Sequence, residues 1–144
     1  MYIQRKHNRK SVKPIGNISI LDYENLISVK IFNRGSGPLI IRDFISEYRN
    51  DIRNNLIDLM PDLPDNIGWS TYFDKLNGFS ILPGESINLL EFRPDIENNT
   101  ETEYRDKIRK VLSEIKVTLK YSDIYDRLMP ANRKDLSWFG RQNK

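Results

Sequence analysis

The chain has 144 residues, of which 38% are hydrophobic, with 23 Lys and Arg against 20 Asp and Glu, one histidine and no cysteine. That length is most simply one domain, with enough apolar content for two packed sheets. The missing cysteines exclude disulfide staples, thiolate zinc sites and cysteine nucleophiles, and no apolar run reaches the roughly 18 residues that a spanning helix needs.

Residues 1–14 read as a flexible basic arm. Arg5, Lys6, Arg9, Lys10 and Lys13 all precede the first acid, Asp22. Beyond Lys13 the acids outnumber the bases, 20 to 18, so the basic pI of about 9.1 belongs to the arm and not to the body. Three readings stand: a tail with no partner, a segment lying beside anionic lipid, or a grip on nucleic-acid phosphates. The body has no second basic stripe and no recognition motif, which disfavours nucleic acid.

Residues 15–130 read as a β-sandwich. Ile18 and Ile20 share a face of a first short strand over 16–21, followed by a turn at Asp22–Asn25. Strands are predicted over 26–33 and 38–48, flanking Gly35-Ser36-Gly37-Pro38. These two strands are expected to pair across a tight turn in which Gly35 and Gly37 supply positive φ. The same glycines invite a phosphate-loop reading, but they open a strand where a phosphate cradle would open a helix. Leu39, Ile40 and Ile41 are consecutive, which predicts either a central strand or a bulge near Ile41.

Over 50–60 the period changes. Ile52, Leu56, Leu59 and Met60 recur at helical spacing, and Pro61 ends the segment, so a short inserted helix is expected. Residues 61–78 are loop-like, with Trp69, Tyr72 and Phe73 pinning the loop over the core, and Asn77-Gly78 is a hairpin signal. Short strands follow over 79–82 and 87–92, joined by Pro83-Gly84-Glu85-Ser86. Residues 94–102 read as an exposed, mobile polar excursion, and 103–113 as a helix, with a strand starting there as the competing reading. Lys107, Arg109 and Lys110 read as a solvated charge run. The alternation of Ile115, Val117, Leu119 and Tyr121 gives the clearest strand of the chain. Residues 124–129 read as an edge strand. In the tail, 131–144, Leu136, Trp138 and Phe139 either fold back or form one more strand. About seven strands separated by turns predict an all-β, immunoglobulin-like antiparallel sandwich with one or two short helices inserted.

Chemistry has few candidates. The one histidine, His7, sits in the arm, where it cannot hold the geometry of a general base. Asp43, Glu47 and Asp51, then Asp58, Asp62 and Asp65, then Asp95, Glu97, Glu101 and Glu103 are scattered, without calcium-loop spacing or a selected glycosidase-like pair. No metal or cofactor is expected, and no catalytic residue stands out. Trp69, Tyr72, Phe73, Trp138 and Phe139 form the candidate binding surface, because interface anchors are often aromatic; core packing is the alternative.

Asn33-x-Gly35-x-Gly37-Pro38, Leu76-Asn77-Gly78-x-x-Ile81-Leu82-Pro83-Gly84-Glu85-Ser86 and Val117-x-Leu119-x-Tyr121-Ser122-Asp123-Ile124-Tyr125 together resemble motifs of uncharacterised bacterial membrane-associated domains. The resemblance covers about residues 17–130. It implies an immunoglobulin-like or fibronectin-like sandwich tethered beside a membrane, and no activity. It departs at Leu128-Met129, where such domains carry cysteines. The expected function is a non-catalytic protein-binding or scaffolding module, tethered through a segment upstream of Met1. The alternative is a soluble small-ligand or carbohydrate-binding domain lined by the 69–73 aromatics and the 95–103 acids; a carboxylate enzyme comes third.

Overall fold

The computed structural model describes residues 12–142; Arg5, Lys6, His7, Arg9 and Lys10 lie outside the described residues. Two antiparallel sheets pack face to face in a sandwich-like, mostly-β architecture. The strands are β1 (Gly16–Tyr23), β2 (Leu26–Asn33), β3 (Leu39–Tyr48), β4 (Asp51–Arg53), β5 (Thr71–Tyr72), β6 (Ser80–Ile81), β7 (Ser86–Phe92), β8 (Ile115–Ser122) and β9 (Asn132–Asp135), with one helix, α1 (Asn99–Leu112). The first sheet runs β1-β2-β7-β5 and the second β4-β3-β8-β9, with β6 paired to the start of β3.

Alternation builds the core. Ile27, Val29 and Ile31 of β2 and Ile115, Val117 and Leu119 of β8 are buried, as period-2 patterning requires. β3 is central in its sheet, and its register with β8 shifts between Ile41 and Asp43. This bulge changes the phase, so Leu39 and Ile41 point inward before it and Phe44 and Ser46 after it. Both expectations for the Leu39-Ile40-Ile41 run therefore hold at once. Asn77 fills the gap left in the ladder: its Oδ1 accepts from Phe44 N at 3.2 Å, while Gly78 N donates to Ile41 O at 2.7 Å.

Four expectations are corrected. First, β2 and β3 do not pair; they belong to opposite sheets, and 34–38 carries the chain across the sandwich. Gly35 and Gly37 do not take positive φ either, a conformation that Gly78 and Gly84 adopt instead. Gly35 is needed for close approach, since a Cβ there would lie 2.1 Å from Lys13 O and 2.5 Å from Ile15 N. Second, 50–60 is not a helix. Arg49 at φ 57 turns β3 into β4, and only Ile57–Leu59 coils, as a 3₁₀ turn; Leu56 and Leu59 reach the core without it. Third, α1 begins within the supposed mobile excursion, because the Asn98 side chain accepts from Thr100 N and Glu101 N at 3.0 and 3.2 Å and caps it. Fourth, 124–129 is a structured loop with a single bridge, Ser122 to Leu128, and not a strand. The tail is part of the second sheet: β9 pairs with β8, and Leu136 and Phe139 are buried.

Candidate functional site

The sandwich has two differently built ends. β8 spans about 23 Å between them.

At one end, α1 and a 3₁₀ turn, Ser137–Gly140, close over the β1–β2 hairpin. α1 turns Ile108 and Leu112 into the core and carries Arg109 in with them. The side chain of Arg109 is buried, contrary to the solvated reading of its charge run. Its Nε lies 2.7 Å from Asp22 Oδ1, and its Nη2 donates to Tyr23 O at 2.9 Å. Arg141 completes the site, with Nη1 2.5 Å from Asp22 Oδ2 and Nη2 donating to Asp22 O at 3.0 Å. Asp22 thus receives two guanidinium groups, which compensates the cost of burying its charge. Around this pair, Arg105 bonds Glu24 and Asp106, each at 3.1 Å.

The same Arg141 presents an aromatic. Its guanidinium lies 4.3 Å from the centroid of the Trp138 ring, and Trp138 remains 55% exposed. Tyr23, next to Asp22, is also exposed. Beside them lies a hollow of about 270 Å³, lined by Glu24, Arg105, Asp106, Arg109, Phe139 and Gln142. Phe139 is the buried wedge beneath, so of the two tail aromatics only Trp138 offers a surface.

The other aromatics lie elsewhere. Trp69 meets Phe92 edge-on at 5.5 Å, Phe73 meets Phe79 at 4.5 Å, and Tyr72 is half exposed in β5. β5 is an edge strand of the first sheet; the chain just after it approaches the chain just after β4, where Asn55 Nδ2 donates to Asp74 O at 3.3 Å. Trp138 follows β9, on the opposite side, where Asn132 Nδ2 donates to Gly16 O of β1 at 2.9 Å. The five aromatics therefore do not form one surface.

The far end carries the 34–38 crossing, the 82–85 turn and the 122–129 loop. Asp123 organises that loop. Its Oδ1 accepts from Tyr125 N and Arg127 N, both at 2.9 Å, and its Oδ2 from Arg127 Nε at 2.7 Å. Burial pushes its carboxyl pKa up, but these hydrogen bonds from Arg127 and Tyr125 outweigh it and hold the group below its ordinary 3.8. Arg42 ties the loop to β3 through Ser122 Oγ at 2.7 Å and through an ion pair with Asp126. Lys13 is exposed here, and its carbonyl accepts from Ser36 N at 2.9 Å.

Five of the candidate carboxylates, Asp43, Asp51, Asp58, Asp95 and Glu101, are occupied locally. Asp43 accepts from Asn54 at 3.3 Å, and Asp58 accepts from Asn55 at 3.1 Å. Arg53, bonded at 2.7 Å, holds Asp51 below the usual carboxylate range. Asp95 and Glu101 serve the start of α1. Among the described residues no three His, Asp or Glu side chains come together as a metal cage, and no helix is long and apolar enough to cross a membrane.

Comparison with protein families, with curated proteins and with solved structures finds no match for this chain.

Sequence reasoning found Trp138 but not its supports. Asp22, Arg109 and Arg141 are 87 and 119 residues apart in sequence. The one signal for Arg109 is its position directly after Ile108 on the apolar side of α1.

Proposed function

We propose that this chain is a non-catalytic protein-binding module on an immunoglobulin-like scaffold, with its contact surface at the helix end, around Trp138. The observation that carries the reading is the exposed indole held by a guanidinium that is itself fixed to a buried carboxylate. Trp, Tyr and Arg are the residue types that dominate interface energetics; Trp138 and Arg141 are in contact at this end, and the exposed Tyr23 follows Asp22 there. Ordering them in advance lowers the entropy cost of association.

The immunoglobulin-like assignment is supported by strand order. Named in chain order with β6 set aside, the strands follow the A-B-E-D and C′-C-F-G arrangement of such sandwiches. Helix α1 stands in the connection before the F-equivalent strand, and the two sheets are held by an apolar core with no cysteine. The basic arm, together with the resemblance of residues 17–130 to membrane-associated domains, supports a membrane-proximal placement. The ligand-binding alternative is weaker, because Trp69 and Phe73 spend their faces on Phe92 and Phe79.

Affinity capture from a membrane extract tests the proposal. The native chain retains a discrete partner, and Trp138→Ala releases it while keeping the thermal midpoint. Equal capture by both chains would refute a Trp138-centred surface.

A further inference from the structure

The loop end combines exposed apolar side chains with positive charge. Leu128 is 74% exposed, Ile15 54%, Leu82 51% and Ile124 47%. Side-chain hydrogen bonds and strand pairing bring them to one end. The Asn33 side chain bonds both Ile15 N and Ile81 O, and Ser122 pairs with Ile40, whose other neighbour is Ser80. With Tyr125, they make half of the large hydrophobic residues that the described chain exposes, which is a concentration and not a scatter.

This exposure is built in. The Asp123 hydrogen bonds, the Ser122–Leu128 bridge and the bond from Met129 N to Tyr121 O at 3.0 Å fix the loop, so Leu128 has no inward alternative. Charge favours a negative partner surface. Asp123 is paired with Arg127 and Asp126 with Arg42, while Lys13 and Arg34 are exposed and Glu85 is the counter-charge in the 82–85 turn. Residues 1–11 join the body at Val12, at this same end, and carry Arg5, Lys6, Arg9 and Lys10 with no acid.

We propose that this end docks on an anionic bilayer, with Ile124 and Leu128 entering the boundary between headgroups and acyl chains and Lys13 and Arg34 lying over anionic headgroups. The inference rests on the membrane-proximal reading of the arm and adds an orientation. The loop end faces lipid, and the Trp138 end points away from it, open to a protein.

The test uses the full chain with phosphatidylcholine vesicles, with and without 30% phosphatidylserine (about a third anionic lipid, a working choice for surface charge). Native chain sediments with the anionic vesicles only. Leu128→Asp lowers partitioning roughly tenfold or more, because a leucine side chain gains at least that on leaving water, and the thermal midpoint stays put. Replacing Arg5, Lys6, Arg9 and Lys10 by Gln lowers it by about fivefold per charge. Because the chain has no cysteine, Leu128→Cys carries a single environment-sensitive dye whose emission rises on vesicle addition, while the same dye at Asn50→Cys, in the exposed turn after β3 at the helix end, stays unchanged. Binding that survives Leu128→Asp without a dye response would overturn docking of this end and leave the arm reading intact. No binding to anionic vesicles would overturn both.

Discussion

Asn33 and Ile81 stand 48 residues apart and in different sheets, yet Asn33 Nδ2 donates to Ile81 O at 2.9 Å in the buried interior. The same amide donates to Gly37 O at 2.8 Å, and Oδ1 accepts from Ile15 N and Gly35 N at 3.2 and 3.0 Å. One carboxamide therefore satisfies four backbone groups where the chain crosses between sheets, a place with no ladder to do so. Asn33→Leu keeps the volume and removes all four bonds. It is expected to destabilise the fold by about 3 kcal/mol or more, read as a lower urea midpoint with an unchanged slope.

The Asp22–Arg109 pair makes a second prediction. Arg109→Met keeps the packing of the stem but removes one of the two guanidinium groups that compensate Asp22. The expected loss is about 3 kcal/mol. Asp22→Asn with Arg109→Met together should cost less than the sum of the single changes, because the uncompensated charge is gone. A double-mutant cycle by denaturant unfolding measures the coupling, and strict additivity would mean that the pair does not cooperate.

Asp123 gives a pH dependence. Its folded-state pKa lies below the ordinary 3.8, so its contribution to stability is complete above that value and is lost as pH falls through the folded-state pKa. Asp123→Asn retains an acceptor for the loop amides but has no charge to lose. Below pH 3.8, native stability should therefore fall more steeply than that of Asp123→Asn; parallel curves would show that the carboxylate charge does not hold the loop.

Gly35→Ala tests the crossing from the steric side. The new methyl would meet the backbone of Lys13 and Ile15, which cannot step aside as a flexible side chain can. A cost of about 2 kcal/mol is expected, read as a drop in thermal midpoint.

The strands were legible wherever one face is apolar and the other polar, as in Ile115-Lys116-Val117-Thr118-Leu119. Pairing was not, because β2 and β3 carry the same signals whether they form a hairpin or part into two sheets. Only long-range contacts such as that of Asn33 with Ile81 decide between these. The 50–60 segment misled because Ile52, Leu56 and Leu59 have helical spacing, while a tight turn at Arg49-Asn50 already commits Asp51–Arg53 to β3. At the candidate site, Trp138 was visible as a large aromatic in a polar tail. Its rigidity depends on Arg141 and Asp22, which share no local pattern.

Photocrosslinking tests the protein-binding reading most directly. With Tyr23→p-benzoylphenylalanine, which leaves Trp138 in place, in a membrane extract, a contact surface at the helix end predicts one discrete adduct of higher mass on illumination. The same amino acid at Ser19, on the outer face of the first sheet, predicts none. Adducts of equal yield and mixed mass at both positions would contradict a binding surface centred on Trp138.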